Sequence, residues 1–414
     1  MTALSLFAWI SLAIALQVAG FLGFRFSPHW QRYRQLELAA PDAVAAAVPP
    51  VEEAAAQPAA WRGLRSFRVA QRVLEDQCGS VCSFDLVPED GQPLPSFHPG
   101  QFLTFEIDMP EGDKLVRCYS LSDAPHPDHY RVSIKRLPPP TGQPNLPSGR
   151  SSNHFHDHVA VGATLGLRVP SGHFYLEPGA APIVLIAGGI GITPMLSMLN
   201  WSLAQQPERE VWLFHGVRNG REQVMREHLE SQSSRHGSFH LRICHSDPLP
   251  DEVAGRDYHH AGRVTIDLLR LQLPLHQYQF YVCGPGPMMV SIVAGLEDWG
   301  VPDARIHFEA FGPASVRRRE PAGETVAAAS DISITFAKSG KQFSWDNDAG
   351  SLLEFAEREG IKVDSSCRGG ACGTCQTTIV AGEVEYRQAP DHDPEPGTCL
   401  LCVCTPKTSL TLEA

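Results

Sequence analysis

Residues 183–203 read IVLIAGGIGITPMLSMLNWSL, and the fold of the middle of the chain turns on them. Ile183 to Ala187 form an apolar run that suits a buried strand. Gly188, Gly189 and Gly191 make a tight turn, and the remainder is a helical run. Beyond it come VWLFHG (211–216) as a second strand, a helix through Glu222 to Ser231, FHLRIC (239–244) as a third strand and QFYVCGP (279–285) as a later one. Strands alternating with helices predict a parallel sheet covered on both faces.

The N-terminal side has another pattern. From Phe67 to Ile107, short alternating runs such as FRVAQRVL and QFLTFEI are separated by PEDGQPLP and FHPG, which predicts strands joined by turns and a small antiparallel β-barrel. Ahead of it, residues 39–60 are almost all Ala, Pro, Val and Glu and read as a tether. Leu4 to Phe24 carry no charge and only Gln17 is strongly polar, a run about long enough for a ~30 Å hydrocarbon core at ~1.5 Å per residue. Arg25, Arg32 and Arg34 follow, and positive flanks stay cytoplasmic. The expectation is a single-pass transmembrane helix in the inner (cytoplasmic) membrane, with the catalytic domains in the cytoplasm. A cleaved signal peptide is the rival reading, disfavoured because no Lys or Arg precedes the apolar run.

At 414 residues the chain exceeds one ordinary core, and ~150 residues per domain implies two or three. A net charge of -12 gives no basis for a nucleic-acid surface. The residues SVRRREPAGETVAAA (315–329) form a second linker, in which Arg317, Arg318 and Arg319 read as a solvated run. The expected organisation is a transmembrane anchor over 1–24, a linker over 25–61, the barrel over 62–178, the parallel-sheet domain over 179–313, a linker over 314–329 and a small domain over 330–414.

Six of the eleven cysteines crowd into the last 50 residues, which points to metal rather than to a disulfide framework. Cys367, Cys372, Cys375 and then Cys402 have the C-x4-C-x2-C…C spacing of plant-type [2Fe-2S] sites. Four thiolates are needed for two irons and two sulfides, and Gly369, Gly370 and Gly373 let the loop wrap and aim amides at sulfur. A structural zinc site is disfavoured because zinc knuckles prefer paired C-x2-C units. The fourth ligand is open from the residues alone, since Cys399 and Cys404 lie close to Cys402.

Two further motifs point to nucleotides. Arg117-Cys118-Tyr119-Ser120 ends a strand and is followed by Gly149-Arg150-Ser151-Ser152. An arginine can pair a phosphate, a tyrosine can stack on a flavin, a serine can reach the flavin N5 edge, and Ser151 and Ser152 can open a helix that receives a pyrophosphate. Gly188 to Pro194, with Gly189, Gly191 and Thr193 between, follows one buried strand, and Cys283-Gly284-Pro285 follows another, where ligands bind in open α/β sheets. His154, His156 and His158 suggest no metal site, since only His154 and His158 share a helix face, and Cys78 and Cys82 read as ordinary buried thiols.

The order of these motifs resembles the ferredoxin-NADP reductase superfamily, in its members with a C-terminal plant-type ferredoxin domain such as the reductases of bacterial oxygenases, over roughly Trp61 to Ala414. The resemblance implies a flavin barrel, an NAD(P)-binding domain and an α+β, β-grasp ferredoxin domain. It implies that Arg117, Tyr119 and Ser120 bind the flavin and Gly149, Ser151 and Ser152 its pyrophosphate. Gly188 to Pro194 and Cys283 to Pro285 would bind NADH or NADPH. Lys135 is counted among the cofactor contacts. Cys402 is implied as the fourth ligand, because LLCVCTPKTSLTL resembles the family's final strand. Phe311, in HFEAFG, would cover the flavin where nicotinamide enters, so Tyr119, Ser120, Cys283 and Phe311 would surround the reacting atoms. The stretch from Gly149 to Leu176 is more similar to FAD-using members, including the reductase part of flavohaemoglobins, than to FMN-using ones, and so implies FAD.

The expected activity is hydride transfer from a pyridine nucleotide to FAD, then single electrons through the [2Fe-2S] cluster to a partner protein such as an oxygenase. A membrane quinone or ferric reductase uses the same parts, and a scaffold that has lost its cofactors would not keep Arg117, Gly191 and all four cluster cysteines. The acceptor stays open, and the resemblance to oxygenase reductases inclines toward NADH.

Overall fold

The computed structural model describes residues 61–311 and 332–414, apart from 62, 140–144, 146, 347–348, 371, 387–389, 391 and 393. Among the described residues no helix is long and apolar enough to cross a membrane. The transmembrane helix expected over 1–24 lies outside the described residues. That part of the expected fold, and the membrane location drawn from it, is corrected: the supported architecture is a flavin module, a nucleotide module and a ferredoxin module.

The first module holds β1 (Arg65–Leu74), β2 (Val81–Pro88), β3 (Phe102–Asp108), β4 (Lys114–Ser120), β5 (Tyr130–Lys135), α1 (Arg150–His158) and β6 (Thr164–Leu167). The strands lie in the order β4-β3-β6-β1-β2-β5 with antiparallel pairing throughout. A bridge between Leu121 and Val132 links the two ends, so the sheet curls into a barrel. Alternation drives this: Phe67 and Val69 are fully buried while Arg68 and Ala70 face water. Phe67, Phe84, Phe105 and Phe155 fill the interior.

The second module holds β7 (Ile183–Gly188), α2 (Ile192–Gln205), β8 (Val211–Val217), α3 (Arg226–Arg235), β9 (Phe239–His245), β10 (His260–Ala261), α4 (Ile266–Gln272), β11 (Gln279–Cys283), α5 (Gly286–Asp298) and β12 (Ile306–Glu309). Its strands run parallel in the order β10-β9-β8-β7-β11-β12. The continuous apolar reading of β7 is explained by burial of every one of its residues. The direction of winding reverses between β7 and β11, which opens a crevice at their carboxyl ends. The helix expected through Glu222 to Ser231 starts later, at Arg226, because a short 3-10 turn at Gly220–Glu222 and a left-handed Met225 (φ 51°) interrupt it.

The third module holds β13 (Ser333–Phe336), β14 (Lys341–Ser344), α6 (Leu352–Arg358), β15 (Gln376–Ala381), β16 (Val384–Tyr386), β17 (Thr398–Leu400), β18 (Cys404–Pro406) and β19 (Leu410–Leu412). A mixed sheet in the order β14-β13-β19-β15-β17, with β13 and β19 parallel, grips α6 through Phe336, Leu352 and Phe355. Ser351 and Glu354 cap α6 reciprocally, a capping box that fixes where it starts.

Candidate functional site

At the end of β4 the RCYS motif divides its side chains. Tyr119 packs edge-on against Phe105 and Phe155, with centroids 5.6 and 5.3 Å away, and its hydroxyl meets Ser151 Oγ at 2.8 Å. Burial pushes its phenol up to about 12, so it stays neutral. Arg117 is exposed, its guanidinium donating to the Val116 carbonyl at 2.7 Å. Gly149 caps α1, and a Cβ there would lie 2.7 Å from Ser152 Oγ and 2.8 Å from Leu137 Cβ, so only glycine leaves the helix entrance bare. No acidic residue stands in the first turn of α1, whose amides therefore suit an anion. This set fits a flavin with its pyrophosphate. Lys135, counted with the cofactor contacts, is ion-paired to Glu222 of the nucleotide module at 3.1 Å.

The glycine turns after β7 and β11 pack on one another. A Cβ on Gly191 would lie 2.2 Å from the Cys283 carbonyl oxygen, and one on Gly284 would lie 2.9 Å from Gly188 N. Gly189 adopts φ 51°, and Thr193 Oγ1 donates to the Ile190 carbonyl at 3.1 Å, closing the first turn of α2 ahead of Pro194. Neither α2 nor α5, which follows Pro285, carries an acid in its first turn. Two bare helix entrances at the point where winding reverses fit a dinucleotide.

The two modules meet over a small group of side chains. Ser120 Oγ donates to Glu309 Oε2 at 3.4 Å, and Glu309 pairs across the sheet with Cys283. Burial pushes the Glu309 carboxyl up to about 8, against a smaller pull downward from the Ser120 hydroxyl. Burial also raises the fully buried Cys283 thiol, with the nearby Glu309 adding to it. Phe311 is 44% exposed, two residues beyond Glu309. Sequence reasoning passed over Glu309, although an acid inside the apolar HFEAFG strand was its signal. It also passed over His215, whose fully buried ring meets the Gly189 carbonyl at 3.2 Å and is driven down to about 4 by burial, so a neutral imidazole backs the glycine turn.

The four cluster cysteines fall into two pairs. Cys375 Sγ lies 3.2 Å from Cys402 Sγ, while the Cys367 amide donates to Cys372 Sγ at 3.4 Å and the Cys372 and Gly369 amides donate to Cys367 Sγ at 3.3 and 3.5 Å. Arg368 takes a left-handed backbone (φ 54°) and is held by an ion pair to Glu357. A Cβ on Gly373 would lie 2.6 Å from His392 Nε2, so this loop has no room for a side chain there. Hydrogen bonds from Cys118 first, then Cys372 and Cys402, hold the Cys367 thiol well below its usual range. Two sulfur pairs with amides aimed at them fit a [2Fe-2S] cluster. Cys399 and Cys404 are each other's neighbours instead. Residues 401–403 form a turn between β17 and β18, and that turn carries Cys402 to the loop.

Comparison with known proteins agrees with this layout. The family described as "Oxidoreductase NAD-binding domain" matches residues 185–294, and "2Fe-2S iron-sulfur cluster binding domain" matches residues 334–407. A flavohemoprotein of Halalkalibacterium halodurans is 39% identical over 265 residues, 64% of this chain and 63% of its own length. The match thus spans less than two thirds of that relative. The FAD/NAD-binding domain of nitric oxide dioxygenase from Vibrio cholerae is 32% identical, with a TM-score of 0.53 over 61% of this chain and 100% of its own. Phthalate dioxygenase reductase, described as modular for electron transfer from pyridine nucleotides to [2Fe-2S], is 26% identical with a TM-score of 0.51 over 85% of this chain and 98% of its own. The chain belongs to the ferredoxin-NADP reductase superfamily, as an NAD(P)H-dependent oxidoreductase using FAD and a [2Fe-2S] cluster in a C-terminal ferredoxin domain.

Proposed function

We propose that the chain is the reductase of a two-protein system and delivers single electrons from its cluster to a partner protein of the oxygenase or hydroxylase kind. The observation that carries this is β4, whose end meets the nucleotide crevice through Ser120 and Glu309 while Cys118, two residues earlier, meets the cluster loop. The likeness to phthalate dioxygenase reductase over all three modules supports the same reading. The bound cofactors supply hydride acceptance and the change from paired to single electrons. Arg117 and the entrance of α1 hold the flavin phosphates, and Tyr119 borders the ring. Gly188 to Pro194 and Cys283 to Pro285 seat the dinucleotide. Ser120, Cys283 and Glu309 fix the reacting edge, with Phe311 as the movable cover. Cys367, Cys372, Cys375 and Cys402 hold the iron. NADH is taken as the donor on the resemblance to the reductases of bacterial oxygenases.

Cytochrome c and ferricyanide distinguish exit through the cluster from exit at the flavin. The intact protein should reduce both with NADH, and a cluster-less variant should keep ferricyanide reduction while losing most cytochrome c reduction. Equal loss of both, or of neither, would refute exit through the cluster.

Glu309 gives the reaction a pH dependence. Its carboxyl is an acid below about 8 and a carboxylate above. The acid form can donate toward the reacting edge, so flavin reduction should slow as pH rises through that value, and Glu309→Gln should remove the inflection. The same shift has a cost: between its unfolded value of ~4.3 and about 8 the folded chain holds this proton more tightly, so this group's contribution to stability declines as pH rises across that window. Stopped-flow reduction over a pH series checks the first effect and thermal unfolding the second. Cys283→Ala should leave FAD bound and slow its reduction by NAD(P)H; unchanged hydride transfer would remove Cys283 from the site.

A further inference from the structure

Cys118 is the one residue of the flavin motif with no part in holding flavin, and its surroundings are unusual. Its sulfur and those of Cys367 and Cys372 all lie within 4.8 Å of one another. Thr104 Oγ1 sits 3.4 Å from it on the neighbouring strand and Ser366 Oγ 3.9 Å away, just before the cluster loop. Thr104 and Cys118 are partners in the β3–β4 register, as are Phe102 and Ser120. Cys118 and Ser120 therefore share a face of β4, about 7 Å apart at ~3.3 Å per residue. The C-x4-C-x2-C…C set is complete without Cys118, so a fifth cysteine here has a proton to give.

We propose that Cys118 is a positioning residue that donates an S–H hydrogen bond from the flavin strand to the ligand sulfurs of Cys367 and Cys372, raising the cluster's affinity for an electron. Hydrogen bonds to cluster sulfurs spread their negative charge and favour the reduced state. Delivered from β4, the bond also registers the cluster loop against the strand that borders the flavin, so one residue sets both the distance and the driving force of the internal transfer. The proposal rests on the reading that Cys367, Cys372, Cys375 and Cys402 hold the cluster.

The test is an EPR-monitored redox titration of the full-length, flavin-loaded protein, with Cys118→Ala and Cys118→Ser beside the wild type. Cys118→Ala should lower the cluster's electron affinity roughly threefold to tenfold, a tenfold change being 59 mV for a one-electron couple. Cys118→Ser keeps a donor and should stay within about twofold of wild type. Cluster loss from the alanine variant alone, with the serine variant intact, supports the donor role as well. The proposal fails if the alanine variant matches wild type, or if serine shifts the titration as far as alanine. It fails too if both variants lose the cluster, which would make Cys118 a ligand. A wild-type protein that shows no [2Fe-2S] signal on reduction would instead sink the underlying cluster assignment.

Discussion

Cys402→Ser is expected to leave a protein that folds and binds FAD but lacks a normal [2Fe-2S] spectrum, whereas Cys399→Ser and Cys404→Ser keep it. The expected contrast is nearly all or none, because a missing thiolate leaves one iron without its fourth bond. The geometry behind it is the 3.2 Å approach of Cys402 to Cys375, against the mutual pairing of Cys399 and Cys404 in the core. The last two are fully buried, so their replacement costs packing and shows in thermal stability rather than in the visible spectrum. A Cys402→Ser protein with an unaltered spectrum, beside a Cys404→Ser protein without one, would reverse the assignment.

Gly191→Ala is expected to have the next largest effect, and it acts on the nucleotide instead. Its backbone is ordinary helical (φ -60°), so the obstacle is space: the added methyl meets the backbone of Cys283 and Gly284, which cannot swing aside as a side chain can. Relieving the clash forces the two glycine turns apart, at ~1 to 3 kcal/mol by comparison with overpacked cores. With the dinucleotide seated across both turns as proposed, KM for NADH should rise roughly tenfold or more while FAD content is unchanged. Arg117→Ala should show the opposite pattern. Losing a charge-assisted phosphate contact of about 1.5 to 3 kcal/mol weakens FAD retention roughly tenfold to a hundredfold. Flavin content after gel filtration and KM under saturating FAD separate the two.

The parts of this protein that are legible in its sequence are those written in local spacing. The cysteine loop is one, since the C-x4-C-x2-C spacing of 367, 372 and 375 is local and falls inside the matched 2Fe-2S cluster binding domain. The buried strand and glycine turn at 183–191 are another, because period and glycine content report burial and turn directly. What sequence did not disclose depends on contacts between distant segments. Cys118 lies 248 residues before Ser366, and nothing in RCYS announces that the cluster loop packs against it. The ion pair of Lys135 with Glu222 is another, since it reaches across the module boundary and is set by how the barrel docks. What sets Cys402 apart from Cys399 and Cys404 is the turn at 401–403, where the chain does not run straight. Glu309 sat inside a quoted strand, but its raised carboxyl follows from enclosure by both modules, which no window of sequence contains.

The most direct measurement is anaerobic single-turnover reduction of the full-length, cofactor-loaded protein by NADH, with flavin absorbance followed in the stopped flow and cluster EPR followed by freeze-quench. The flavin band should bleach first, and the [2Fe-2S] signal should then rise within the same turnover at a rate independent of protein concentration, as transfer inside one chain requires. A flavin that is reduced while the cluster of the same molecule stays oxidised, or a cluster that fills only in proportion to protein concentration, would contradict an internal path from NADH to the cluster.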